Sequence, residues 1–179
     1  MKIVVLTGSP HEKGTTSVLA DAFISGAKEA GHEIYRFDAA HKSVSGCIAC
    51  NSCENGENPC VFEDDMQELI PHLLDADMVT FVSPVFYSGF TSQLKAVIDR
   101  FYGIDKKLQG SGKKAALLAA AADTEERTAK GLRYVYEEAM HYLQWEDCGQ
   151  IYAISCAVKE DIEKTDYPNR AYELGKNIK

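Results

Sequence analysis

Five short apolar runs, at residues 3–6, 34–37, 78–82, 115–120 and 151–154, recur along the chain with amphipathic stretches between them. Strands that alternate with helices are joined by crossovers too long for hairpins, so the runs are expected to pair in parallel, with helices over both faces. Right-handed crossovers then favour a doubly wound α/β sheet of five strands in the order 2-1-3-4-5. The first helix is expected to end near Gly31, with Val18, Leu19, Ala22, Phe23, Ala27 and Ala30 on its inner face. A second carries Met66, Leu69, Ile70, Leu73 and Leu74, with Asp64 and Gln67 at capping-box spacing and Pro71 as a kink. Two more follow through Leu94, Val97, Ile98 and Phe101 and through Leu132, Val135, Ala139 and Leu143, and a short helix over 167–178 closes the chain. A length of 179 residues suits a single domain covering 1–179.

The segments that follow the strands emerge at the carboxyl edge of such a sheet, where ligands bind. The first reads Thr7-Gly8-Ser9-Pro10-His11-Glu12-Lys13-Gly14-Thr15-Thr16-Ser17, a hydroxyl-rich turn between a strand and a helix start. Backbone N–H groups at a helix N-terminus favour an anion, and these hydroxyls add donors. A Walker A loop needs Lys directly after its second glycine, where this chain has Thr15, and the spacing of Gly8 and Gly14 does not fit a dinucleotide fingerprint. A single monoester phosphate, such as that of FMN, fits the turn best. The alternative is an ordinary strand-to-helix turn capped by Thr15 or Ser17. The turn after the third strand, Pro84-Val85-Phe86-Tyr87-Ser88-Gly89-Phe90, combines aromatics, a proline and a glycine, as a flat ring would require, although packing alone explains the same aromatics.

The long segment over 39–63 holds Cys47, Cys50, Cys53 and Cys60 as C-x2-C-x2-C-x6-C. This compact spacing suits a 4Fe-4S cubane better than zinc, whose structural sites pair separated knuckles. At about 25 residues it exceeds the roughly 15-residue limit for structureless loops, so a cluster or a subunit contact is expected to order it. Cys148 and Cys156 flank the last strand as plain thiols. His32, His41, His72 and His141 stand in no ligand spacing.

The net charge of -8, with no basic run, argues against nucleic acid and anionic membrane surfaces. No apolar run approaches the roughly 20 residues of a membrane span, and no signal-peptide pattern is seen, so a cytoplasmic protein with a small-molecule or protein partner is expected.

In the phosphate turn, in the cysteine array through Asp64-Asp65-Met66, and in Ser83-Pro84-Val85 through Gln93-Leu94-Lys95 to Asp99-Arg100, the chain resembles the NADPH-dependent FMN reductase and iron-sulfur flavoprotein group of the flavodoxin-like superfamily. The resemblance extends over most of the chain. It implies non-covalent FMN, with the phosphate held by Ser9, His11, Thr15, Thr16 and Ser17 and the isoalloxazine by Pro84, Val85, Phe86, Tyr87, Ser88 and Gly89. It also implies dimers with flavin near the subunit interface, and relatives use a similar cysteine array to ligate one 4Fe-4S cluster. His11 stands where the family usually has Arg or Lys, Thr15 where it often has Asn, and the turn over 119–124 lacks the family's glycines. Asp123 is a candidate for tuning the flavin. The expected activity is an oxidoreductase in which FMN accepts hydride from NAD(P)H and passes electrons to a quinone, a nitro or azo compound, another flavin or a protein centre. No side chain need act as acid or base. An electron carrier between protein partners is the alternative, and a phosphoacceptor regulator is disfavoured because Thr7-Gly8-Ser9 replaces the acidic residues it would need.

Overall fold

Residues 1–53 and 60–179 are described in a computed structural model. Five strands, β1 (Lys2–Thr7), β2 (Glu33–Asp38), β3 (Met78–Pro84), β4 (Lys114–Ala120) and β5 (Glu146–Ala153), pair in parallel in the order β2-β1-β3-β4-β5. This is the flavodoxin-like order expected from the alternation of apolar runs. Side chains alternate across each strand, so Val4 and Leu6 point into one core layer while Ile3 and Val5 point into the other.

Helix α1 (Thr15–Glu29) and α7 (Tyr167–Asn177) cover the face carrying Ile3 and Val5, with Phe23 and Ala171 fully buried. The opposite face packs against α2 (Met66–Asp75), α3 (Ser92–Asp99) and α5 (Lys130–Leu143) through Leu69, Leu73, Leu94, Val97, Leu132 and Tyr136. Two single-turn helices, α4 (Asp105–Leu108) and α6 (Lys159–Ile162), complete the set.

Several local expectations are corrected. The N-cap of α1 is Gly14, whose missing side chain leaves the helix start uncapped, so neither Thr15 nor Ser17 caps it. Asp64 and Gln67 form no capping box; Asp65 is the N-cap of α2, and the Asp64 carboxylate accepts from Met66 N–H at 3.2 Å. Cys148 lies inside β5 rather than beside it, because pairing with β4 begins at Glu146, before the apolar run. Burial raises the thiol pKa of both Cys148 and Cys156.

Candidate functional site

The loop after β1 is held by one contact to β3 and one to the start of α3. Gly8 N–H donates to Val82 O at 2.9 Å, and the Thr91 hydroxyl, which also caps α3, donates to Gly8 O at 2.8 Å. A Cβ on Gly8 would lie 2.4 Å from Thr91 Oγ1 and 2.7 Å from Leu94 Cβ, so only glycine fits. The loop then folds back on one carbonyl: His11 O accepts from Gly14 N–H at 3.2 Å, from the Ser17 hydroxyl at 3.3 Å and from the Ser9 hydroxyl at 3.4 Å. This network sets the extended conformation of Gly14 and starts α1 with its first N–H groups free of any side-chain cap. Such groups carry partial positive charge.

That helix start opens into a cavity of about 540 Å³. Ser9, His11, Glu12, Lys13, Gly14 and Thr15 form its polar end, with one carboxylate beside the lysine, and Pro84, Val85 and Phe86 form an apolar wall at the end of β3. Ala120, Ala121 and Ala122 form a floor of methyl groups, and Cys156, Ala157, Val158 and Lys159 close the far side. The cavity thus pairs a polar end, rich in hydroxyl and N–H donors and carrying Lys13 beside Glu12, with a smooth apolar slot. A molecule with one phosphate and one flat ring matches that division.

The turn beyond Phe86 is a tight hairpin in which Phe86 and Gly89 exchange backbone hydrogen bonds of 3.1 and 3.0 Å. Tyr87 and Ser88 both sit in the left-handed region, with φ of 46° and 62°, a conformation that a two-residue hairpin usually fills with Asn-Gly. The tip is held from outside by α5, where Gly131 has no room for a side chain: its Cβ would meet Ser88 O at 2.5 Å. Tyr87 projects fully into solvent at 107% relative exposure, and Phe86 is 50% exposed. Non-glycine residues held in this region concentrate at ligand clamps.

Of the residues expected from sequence, Ser9, His11, Thr15, Pro84, Val85 and Phe86 line the cavity. Thr16 is buried and does not line it, and Ser17 lines a neighbouring polar cavity of about 410 Å³ that Arg36 and Asp38 also line. Tyr87, Ser88 and Gly89 form the exposed hairpin beside the wall, and Asp123 lies one residue beyond the alanine floor, exposed. Lys13, Lys159 and the segment after β5 were not expected there. The rule that placed the other loops at the carboxyl edge applies equally to residues 155–159, which follow the last strand.

Cys47, Cys50, Cys53 and Cys60 lie outside this lining. Hydrogen bonding to Ser52 holds the Cys50 thiol below its usual pKa, and Cys47 Sγ accepts from Ala49 N–H at 3.4 Å. Among the described residues no three His, Cys, Asp or Glu side chains gather as a metal site. Four thiols are the right donors for a cluster, but the described residues do not gather them into one site. What the structure does build is an anchor for both ends of the segment. Arg100 Nη1 donates to Asp64 Oδ2 at 2.6 Å and to Ser45 O at 2.9 Å, while Ser45 N–H donates to the same carboxylate at 3.0 Å.

A family model for NADPH-dependent FMN reductases matches residues 1–147. An iron-sulfur flavoprotein of Methanocaldococcus jannaschii is 34% identical over 100 residues, 56% of this chain and 51% of that protein. Such matches mean that the chain spans about half the length of the curated relatives it matches first. A Bacillus subtilis protein named as an NAD(P)H-dependent FMN-containing oxidoreductase is 26% identical over 155 residues, 80% of this chain and 79% of that one. Among solved structures, an NAD(P)H:quinone oxidoreductase from Methanothermobacter marburgensis superposes with a TM-score of 0.77 at 21% identity, covering 99% of this chain and 95% of the other. An azoreductase from Bacillus anthracis gives the same TM-score at 18% identity, covering 99% of this chain and 100% of that one. At those identities the superpositions speak for the fold, which is the one assembled above. With the family model spanning most of its length, the chain belongs to the NADPH-dependent FMN reductase family.

Proposed function

We propose that the protein is an FMN-dependent oxidoreductase that takes reducing equivalents from NAD(P)H and passes them to a small-molecule or protein acceptor. The observation that carries this is one cavity with two unlike ends, the uncapped start of α1 at one and the Pro84, Val85 and Phe86 wall over an alanine floor at the other. In this assignment the N–H groups of the first turn of α1, with the Thr15 hydroxyl, hold the phosphate, and Lys13 adds charge. His11 contributes through its backbone carbonyl, which shapes the turn by accepting from Ser9, Ser17 and Gly14. Pro84, Val85 and Phe86 fix the ring in the slot and exclude water from one of its faces. Bound FMN supplies the hydride acceptance and the onward electron transfer, and the chain supplies position and electrostatics.

The proposal extends to a homodimer in the cytoplasm. The dimer is supported by Tyr134, Val135 and Tyr142, which leave apolar surface exposed along α5. An electron carrier is the second assignment, favoured by the cysteine array together with relatives named as iron-sulfur flavoproteins. Steady-state oxidation of NAD(P)H with a quinone separates the two, since a carrier leaves nicotinamide unoxidised.

Binding of FMN is tested by Thr15→Asp. Thr15 is the first residue of α1, where a carboxylate suits the helix dipole, so the fold should be unharmed. The same carboxylate would stand beside the phosphate. FMN affinity, read by quenching of flavin fluorescence, should fall at least about tenfold, some 1.4 kcal/mol. Unchanged affinity would remove this turn from the site.

A further inference from the structure

Beside the FMN cavity lies a second cavity of about 510 Å³, bounded by α5 and α7 with β5 as its floor. The two adjoin through the backbone. Ser155 lines the second and Cys156 the first, and on the neighbouring loop Thr124 lines the second and Ala122 the first. Adjacent Cα atoms are about 3.8 Å apart, so the cavities share a thin wall, closed by the Ser155 N–H bond to Asp123 O at 2.8 Å.

The charges here are arranged unusually for so acidic a chain. Arg133 from α5 and Arg170 from α7 both line the cavity. Each guanidinium lies over a tyrosine ring, Arg133 at 4.6 Å from the Tyr152 centroid and Arg170 at 5.3 Å from the Tyr167 centroid. Among the described residues the arginines engaged in ion pairs are Arg36 and Arg100. Arg133 also hydrogen-bonds the Tyr152 side chain. Neither Arg133 nor Arg170 is neutralised by a carboxylate in an ion pair, so each keeps charge and further N–H donors for a ligand, while the ring beneath it limits the rotamer freedom that binding would remove. Glu126 and Glu137 also line the cavity, but neither pairs with an arginine, and Glu137 accepts a hydrogen bond from Gln150 at 3.4 Å.

We propose that this cavity binds the phosphate-bearing end of the reduced dinucleotide, with Arg133 and Arg170 as its phosphate ligands, and so sets a preference for NADPH over NADH. The assignment rests on the proposed function, because it requires the nicotinamide end to reach the flavin in the adjoining cavity. Two preset guanidiniums suit a phosphate dianion through paired charge-assisted hydrogen bonds. Of the two dinucleotides only NADPH brings such a group, on the adenosine ribose.

The test uses the FMN-loaded protein and the Arg133→Gln and Arg170→Gln variants, both at exposed positions that leave the core untouched. Calorimetric titration with 2′,5′-ADP and with 5′-ADP reads the cavity without turnover. Each variant is expected to weaken 2′,5′-ADP at least tenfold and to raise the KM for NADPH similarly, with kcat within twofold and NADH kinetics unchanged. If 5′-ADP and NADH weaken as much as their 2′-phosphorylated counterparts, the cavity still takes the phosphate-bearing end, through the diphosphate, but the claimed preference is overturned. Variants that bind 2′,5′-ADP and oxidise NADPH like the parent overturn the inference and leave the proposed function standing. A parent protein that oxidises neither dinucleotide, yet binds 2′,5′-ADP through these arginines, sinks the proposed function and supports the phosphate site.

Discussion

Gly8 shows how a single hydrogen in place of a side chain can hold the loop after β1. Its N–H extends the sheet to Val82 and its carbonyl accepts from Thr91, so the residue ties β1 to both β3 and α3. Any Cβ would press on Thr91 Oγ1 and on Leu94 Cβ, neither of which is the loose end of a flexible side chain. Gly8→Ala is therefore expected to cost about 1–3 kcal/mol, the usual penalty of overpacking a core, and to weaken FMN by tilting the loop. Thermal unfolding with and without FMN checks both effects, and an unaltered melting point would refute the packing argument. The sequence singles out this turn by its hydroxyls and glycines before a helix start, a pattern that suits a phosphate and an ordinary turn alike. It gave no sign of the hydrogen bond from Thr91, which lies 83 positions away. The left-handed pair Tyr87 and Ser88 was equally invisible, since neither residue type prefers that region and the tip is kept there by the backbone of α5.

At the scale of elements, the sheet order was readable because apolar runs in regular alternation with helices leave few topologies open. How the cysteine-bearing segment is tied to the fold was not. Spacing of the cysteines says nothing of the feature that anchors both sides of the segment, an ion pair between residues 36 positions apart, Arg100 and Asp64, whose side chains are only 3% and 8% exposed. Asp64 is pulled two ways. Burial raises its pKa, but hydrogen bonds from Arg100 and from the N–H groups of Ser45 and Met66 outweigh burial and leave it below the ordinary value. A carboxylate with a depressed folded pKa contributes stability that is present above its unfolded pKa, near 3.8, and is lost as pH falls through the folded value. Acid should thus loosen the segment before the core. Asp64→Asn removes the charge at every pH and strands Arg100 in a buried site, at an expected cost of about 3–5 kcal/mol. Limited proteolysis at pH 7 should then cut within residues 46–63 faster than in the parent protein. Equal cleavage rates would mean that the anchor does not order the segment.

Over the whole molecule, the helix layer on the α1 side is closed by a contact between backbones. A Cβ on Gly26 of α1 would lie 2.0 Å from Tyr172 O of α7, and one on Gly175 of α7 would lie 2.2 Å from Phe23 O of α1. The two helices approach so closely because each presents a glycine to the other, and the Lys176–Glu29 ion pair at 2.8 Å borders the contact. The short last helix was expected over 167–178, but its docking on α1 was not, since a glycine within a helical pattern reads in isolation only as a weak point. Helix propensity and packing predict opposite signs for Gly26→Ala. Propensity alone would stabilise α1 by up to about 1 kcal/mol, while a methyl group driven into a carbonyl of α7 should cost about 1–3 kcal/mol. For a chain of this length each kcal/mol shifts the melting temperature by roughly 2–4 °C, so the sign is measurable. We expect the melting temperature to fall. Gly26 lies eleven residues along α1 from Thr15, or roughly 16 Å at 1.5 Å per residue, so FMN affinity measured well below the transition should stay within twofold of the parent. A melting temperature that rises would show that α1 and α7 can part without cost. Lost FMN affinity in a folded variant would show instead that their contact governs the far end of α1.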